Sequence, residues 1–329
     1  MFTEFQGISN YQAYKKVFSD RMMLPHPTDP RRFLGNTQRE DFLPFLHPLI
    51  KRLPANANIF DVGAGAGEIV DLALCGATSA TISIEEPNPL LIHGYKEKVK
   101  KYPNLRLGLI HEGSVQDLYR HATLNPRPSA FEAPAKNSQD LVLALQMIYH
   151  VTPFAENDID PDTEIIDALT FLYETMRPGA SLFLVYSDDD TATTALASEW
   201  YFEKTNQLSK LANFQKIKRA RHRILKSGQI AELLAAKFPQ SKPRLTCEMT
   251  SSWIFGSTLE DMAILCLLGD DELSNDREFD VGKLPIYLDF VKTHAEKIQL
   301  GIEQRSIAQN GMYRFFQGQI VLTLEKPLQ

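Results

Sequence analysis

The run Asn58-Ile-Phe-Asp-Val-Gly-Ala-Gly-Ala-Gly-Glu68 constrains the fold more than any other part of the chain. Ile59, Phe60 and Val62 make a short apolar strand, and Glu68-Ile-Val-Asp-Leu-Ala-Leu continues with the spacing of an amphipathic helix. Between them every second residue is glycine, at Gly63, Gly65 and Gly67. Without a Cβ at these positions the backbone can turn sharply and let a ligand approach closely. A strand that passes through such a turn into a helix is a building unit of a parallel, doubly wound α/β sheet.

Further apolar runs supply the rest of that sheet. Strands are expected at 80–85, 105–110, 140–145, 181–187, 244–254 and 319–325, which with the first makes a seven-stranded Rossmann-like sheet. Residues 1–50 precede the sheet as a helical extension with aromatics at Phe2, Phe5, Tyr11, Tyr14 and Phe18, followed by a Pro-rich break. Its expected place is as a lid over the ligand cleft, with a plain core-covering helix as the alternative. The remaining 51–329 form the main domain, interrupted by a mainly helical insertion at about 258–312, before the last strand. No internal repeat or low-complexity tract is present.

Composition narrows the function. Of 329 residues 43% are hydrophobic and 23% charged, as in a soluble globular protein. Thirty-five basic residues against 41 acidic ones give a net charge of -6, which lacks the basic footprint of a nucleic-acid-modifying enzyme. The local exception is the basic run Lys216-Ile-Lys-Arg-Ala-Arg-His-Arg, read as a solvated helix face. Three widely spaced cysteines without a C-x-x-C pair fit reduced thiols in a cytoplasmic protein, and no metal-ligand cluster stands out. No apolar segment is long enough to span a bilayer. A small-molecule partner is therefore expected, with the chain a monomer or weak dimer.

The glycine spacing selects the cofactor. A dinucleotide site prefers G-x-G-x-x-G, whereas this chain has G-x-G-x-G preceded by Asp61. That pattern resembles the first motif of class I S-adenosylmethionine-dependent methyltransferases. The second strand ends in Glu85 and Glu86, and a carboxylate there can accept hydrogen bonds from both ribose hydroxyls. Glu86 is preferred because Glu86-Pro87-Asn88 matches the acid-Pro pattern of such enzymes. After the third strand, Ser114 and the Val115 backbone are the adenine-side candidates, with Asp117 as the alternative acceptor for the adenine amino group.

Taken together, the chain resembles the histamine N-methyltransferase family. The carriers are Gly63-Ala64-Gly65-Ala66-Gly67-Glu68-Ile69, Glu86-Pro87 with Tyr95-Lys96-Glu97, and Leu145-Gln146-Met147-Ile148-Tyr149-His150-Val151. The resemblance implies a methyltransferase fold with S-adenosylmethionine as cofactor and S-adenosylhomocysteine as product. It implies cofactor contacts at Gly63, Ala64, Gly65, Gly67, Glu86, Pro87 and Leu145, and an acceptor contact at Gln146. Two departures bear on the acceptor: Gln38 falls where the family has a carboxylate, and Gln317 where it has asparagine. Leu91 also replaces a cofactor-side glutamine.

Methyl transfer from a sulfonium is an in-line displacement, so alignment and exclusion of water matter more than a strong base. Gln146 is the expected orienting group, with Tyr149 and His150 walling the pocket or accepting a proton. Tyr14, Phe18, Gln38, Trp200 and Gln317 complete the acceptor candidates, although packing explains Trp200 equally well. Asp188, Asp189 and Asp190 could attract a cationic amine, against the simpler reading of a capped turn. The expected activity is methyl transfer to a small-molecule amine or imidazole nitrogen. Its alternatives are a natural-product O-methyltransferase, a protein methyltransferase and a non-catalytic binding protein of the same fold; a nicotinamide oxidoreductase fits the glycine spacing least.

Overall fold

The computed structural model describes residues 3–14, 16–17, 25–26, 29–33, 37–122, 133–152, 160–267, 278–303 and 312–328. A small hairpin, β1 (Pro25–His26) with β2 (Asp29–Phe33), precedes the main sheet. The main sheet begins with β3 (Ala57–Val62), β4 (Ala80–Glu85) and β5 (Leu105–His111), and continues with β6 (Gln139–Leu145) and β7 (Met176–Ser187). It is completed by β8 (Arg244–Gly256), the short β9 (Gly301–Glu303) and β10 (Met312–Glu325). The spatial order is β5-β4-β3-β6-β7-β10-β8, with β9 paired to β10. Strands β3 to β7 run parallel, and β10 lies antiparallel between β7 and β8. This is the expected doubly wound sheet, with β9 as an eighth strand the sequence did not announce.

The chain winds outward from β3 in one direction through β4 and β5, and from β6 in the other. The order therefore reverses between β3 and β6, and the ends of those two strands open the crevice where ligands of such sheets bind. Apolar residues on both faces of the central strands bury the sheet between two helical layers. On one side α2 (Gln38–Lys51), α3 (Glu68–Leu72) and α4 (Pro89–Val99) cover a cluster that includes Phe42, Leu46, Ile59, Ile82, Leu143 and Val321. On the other, α5 (Val115–Ala122), α6 (Ile148–Val151) and α7 (Pro161–Thr175) cover Phe60, Val142, Leu184 and Ile320.

A third apolar cluster lies beyond the sheet. There α8 (Thr193–Lys204) packs with α11 (Leu259–Leu267) and α12 (Leu284–Thr293), and α9 (Leu208–Arg221) lies alongside α8. From the N-terminal extension, Phe5, Ala13 and Val17 are buried in this same cluster, Phe5 against Phe279. These residues cover a core. Phe2, Phe18 and the side chains of Tyr11 and Tyr14 lie outside the described residues, as do 268–277 and 304–311 of the insertion.

Candidate functional site

The glycine turn follows β3 directly, and each glycine has a different physical reason. All three have positive φ: +64° at Gly63, +57° at Gly65 and +75° at Gly67, a region that side-chain-bearing residues rarely adopt. A Cβ at Gly63 would stand 2.6 Å from Met147 Cβ, so this glycine lets the end of β3 meet the segment leaving β6. A Cβ at Gly67 would stand 2.7 Å from the Tyr95 ring, so that glycine seats α3 on α4. At Gly65 a Cβ would meet only Glu68 Oε2, at 3.9 Å. Gly65 is thus the one of the three whose missing side chain leaves open room above the backbone, the kind of room a close-lying ligand requires.

Carboxylates ring this turn. Gly63 N–H donates to Glu85 Oε2 at 2.7 Å, and Gly65 N–H donates to Glu86 Oε2 at 2.9 Å. The other Glu86 oxygen accepts from Asn88 N–H at 2.9 Å. Beneath the turn Tyr95 Oη donates to Asp61 at 2.9 Å. Asp61, Glu85 and Glu86 are 1%, 3% and 6% exposed. Burial pushes Asp61 up to about 7, against the lowering pull of its bond from Tyr95. Burial pushes Glu85 up to about 8 in spite of its bond from Gly63, and raises Glu86 too. For Glu68 burial acts upward, yet Arg39 and Lys98 hold the carboxyl below its ordinary range.

The adenine-side candidates lie at the start of α5. Ser114 and Asp117 cap each other: Ser114 Oγ donates to Asp117 Oδ2 at 2.7 Å, and Asp117 N–H donates to Ser114 Oγ at 3.2 Å. Asp117 is therefore engaged in the helix cap. Val115 is buried, Pro87 is exposed, Ala64 N–H donates to the Glu85 carbonyl, and Leu145 packs against the α2 side of the sheet.

Across the crevice the end of β6 carries a hydrogen-bonded group of neutral side chains. Gln146 has φ +57°, unusual for a residue with a side chain, and its N–H donates to the Val185 carbonyl at 2.7 Å. Its Nε2 donates to Gln319 Oε1 at 3.0 Å, and its Oε1 accepts from Tyr149 Oη at 3.3 Å. Gln319 Nε2 in turn donates to the Gln38 carbonyl at 2.9 Å and to Ser252 Oγ. Gln38 Nε2 donates to Ser187 Oγ at 3.3 Å, and Tyr149 Oη accepts from Ser187 N–H. Helix α2 delivers Gln38 because Thr37, just before it, is pinned to the edge strand: its N–H donates to the Trp253 carbonyl at 3.0 Å, and its Oγ1 accepts from Trp253 N–H at 2.9 Å.

Gln38, Gln146 and Tyr149 thus come together, joined by Ser187, Ser252 and Gln319, which the sequence reading did not single out. Gln317, paired with Ser252 in the sheet, turns its side chain to the start of α8, accepting from Thr193 N–H at 2.9 Å. The alternation of β10 could have found Gln319, since 317 and 319 share a face and Gln319 pairs with Ser187. Trp200 stacks on His294, with ring centroids 4.5 Å apart, in the third cluster. His150 is exposed on α6. The side chain of Tyr14 and all of Phe18 lie outside the described residues.

The three aspartates after β7 are matched by the basic run of α9 and the wide π-type turn that continues it (His222–Lys226). Asp189 accepts from Arg221 Nη1 at 3.0 and 3.2 Å. Asp188 and Asp190 both pair with Lys226, at 2.9 and 3.3 Å. Arg221 is 4% exposed, and its guanidinium lies 4.8 Å from the centroid of the Tyr149 ring. The basic run is therefore only partly the solvated face expected from its composition. Among the described residues no group of three or more His, Cys, Asp or Glu could hold a metal ion, and no helix is long and apolar enough to cross a membrane.

Fold and glycine turn together define a doubly wound, Rossmann-like sheet with its crevice between β3 and β6. No protein-family model matches the sequence, and no curated protein matches it. Among solved structures the chain is similar to a provisionally assigned methyltransferase of Bacillus halodurans, at 15% identity over 87% of this chain and 98% of that one, with a TM-score of 0.45. It is similar to phosphoethanolamine N-methyltransferase 2 of Haemonchus contortus, crystallised with phosphomonomethylethanolamine and S-adenosylhomocysteine. There the identity is 10% over 96% of this chain and 57% of that one, and the TM-score is 0.42. The [4+2]-cyclase SpnF is a third, at 10% identity over 97% and 93% of the two chains, with a TM-score of 0.39.

Proposed function

We propose that the protein is an S-adenosylmethionine-dependent methyltransferase acting on a small-molecule amine or imidazole nitrogen. One observation carries the reading: the glycine turn and Gln146 face each other across the strand-order reversal, with Gly63 abutting Met147 and open room at Gly65. The residues fit the cofactor. The turn backbone would lie against its methionyl arm, Glu86 would accept from its ribose hydroxyls, and the segment from Ser114 would flank the adenine. Bound there, S-adenosylmethionine would supply an electrophilic methyl group on a sulfonium. The chain's own part is alignment. Gln146 Oε1 and Tyr149 Oη are neutral groups able to accept an acceptor N–H and so direct the nitrogen lone pair toward the methyl group. Gln38, delivered by α2 beside Ser187, supports the assignment of residues 1–50 as the lid of this pocket.

Titration calorimetry with S-adenosylmethionine and S-adenosylhomocysteine tests the cofactor site. Gly65→Val fills the open room, and Glu86→Ala removes the ribose acceptor. Hydrogen bonds to a charged group are worth ~1.5–3 kcal/mol, so affinity is expected to fall about ten- to a hundredfold while the melting transition stays cooperative. Unchanged titration curves for both variants would refute the site. The acceptor follows from methyl transfer with labelled cofactor to biogenic amines, imidazoles, catechols and peptides; transfer confined to hydroxyl acceptors would remove the nitrogen assignment.

A further inference from the structure

An amide side chain can present either its oxygen or its nitrogen, and around Gln146 two backbone groups settle the choice. The Gln38 carbonyl can only accept, so the atom of Gln319 that lies 2.9 Å from it is Nε2. Ser252 Oγ takes the other hydrogen of that nitrogen. Gln319 Oε1 is thereby left toward Gln146, and because this oxygen too can only accept, Gln146 must turn Nε2 to it, at 3.0 Å. Gln146 Oε1 then faces Tyr149 and Ser187. At that end Ser187 N–H can only donate, so Tyr149 Oη accepts from it and keeps its own proton for Gln146 Oε1 at 3.3 Å or the Ser187 carbonyl at 3.4 Å. Gln319 and Ser252 are both 0% exposed, so neither can trade these bonds for water.

The bonds are unequal. Those that set the direction are 2.9 and 3.0 Å long, whereas Gln146 Oε1 has only Tyr149 Oη at 3.3 Å and Ser187 Oγ at 3.5 Å. An oxygen held by such long bonds can take a closer donor. We infer, on the reading that the acceptor meets Gln146 and Tyr149, that Gln319 is a positioning residue: it keeps the Gln146 oxygen toward the acceptor and so restricts the protein to amines and imidazoles that carry an N–H. A tertiary amine or a 1-alkylimidazole still has a nucleophilic lone pair, so chemistry alone does not reject it. It brings no hydrogen for Oε1. For an amine the contact also strengthens during reaction. The nitrogen gains positive charge as it takes the methyl group, the sulfur becomes neutral as its bond to that methyl breaks, and the N–H donates more strongly before its proton leaves to water. Loss of the contact therefore falls mainly on kcat.

Steady-state kinetics on the full chain with labelled S-adenosylmethionine test this, with biogenic amines and imidazoles each set beside its fully N-alkylated counterpart. The N–H-bearing member of each pair should have about ten- to a hundredfold higher kcat/KM, the effect of one buried oxygen left unpaired. Gln319→Met keeps the side-chain length and removes all three of its hydrogen bonds. The N–H-bearing acceptors should then lose about tenfold, chiefly in kcat, and the alkylated ones little, so that the ratio contracts. A purely structural Gln319 would slow both alike and leave the ratio unchanged. Ser252→Ala removes one bond but leaves the Gln38 carbonyl in place, and should keep the wild-type ratio. Where Gln319→Met does not fold, Gln319→Asn, too short by one methylene to span Gln38 and Gln146, reads the same contraction. Equal kcat/KM within the pairs in wild type, or an unchanged ratio in the folded Gln319 variant, overturns the inference and leaves methyl transfer standing. No transfer to any member of the panel removes the proposed function and the inference with it.

Discussion

Gln146 is a side-chain-bearing residue in the left-handed region, which costs it about 1–2 kcal/mol of backbone strain relative to glycine. Glycine at this position would relieve the strain and lose only the side chain. Gln146→Gly and Gln146→Ala should therefore lose methyl transfer alike, on the order of a hundredfold, while the glycine variant melts at a higher temperature than the alanine variant. Turnover and melting measured on both separate orientation of the acceptor from a purely structural task, and a near-normal rate in either one excludes the orienting role. Gln146 drew notice in the sequence through the resemblance of Leu145-Gln146-Met147-Ile148-Tyr149-His150-Val151 to a segment of the histamine N-methyltransferase family. Gln319 was missed: alternation along β10 ties it to the face of Gln317, but that this face meets β7 depends on a pairing of residues more than 130 positions apart.

At the scale of elements, the strands were legible from their apolar runs, whereas the contacts between α9 and the loop after β7 were not. The sequence offers three aspartates and, some thirty residues later, a basic run, each of which reads alone as a solvated feature. Folded, Arg221 joins Asp189, donates to Thr152 Oγ1 at 3.0 Å and lies over Tyr149, so one buried cation ties α9, α6 and the end of β7 together. Removing one partner of such a pair leaves the other charge buried and uncompensated. Arg221→Met is expected to cost about 3–5 kcal/mol in denaturant unfolding, with part of the loss recovered when Asp189→Asn is added. A loss below about 1 kcal/mol for the single variant would mean that the pair is replaceable by water.

For the molecule as a whole, the glycine turn and the third apolar cluster are separate packing units, and the N-terminal extension belongs to the second of these through Phe5, Ala13 and Val17. Deleting residues 1–35 should consequently lower the melting temperature, since the loss of buried Phe5 alone removes about 3–5 kcal/mol. Cofactor affinity of the molecules that remain folded should persist while turnover is lost; full turnover would take the extension out of the acceptor pocket. A helical character for this cluster was readable from the sequence, but its position beyond the sheet was not, because apolar periodicity identifies a buried face without naming what buries it. The place of β10 has a consequence for how the protein comes into being. Strands β7 and β8 are both made earlier, yet they meet only through β10, which also brings Gln319 to Gln146. While a ribosome is still translating residues 312–325, the emerging chain already contains the glycine turn and β3 to β7 but has neither a continuous sheet nor the Gln319 that meets Gln146. On the reading proposed above, the side of the crevice that would hold the cofactor is thus made before the wall that would align the acceptor.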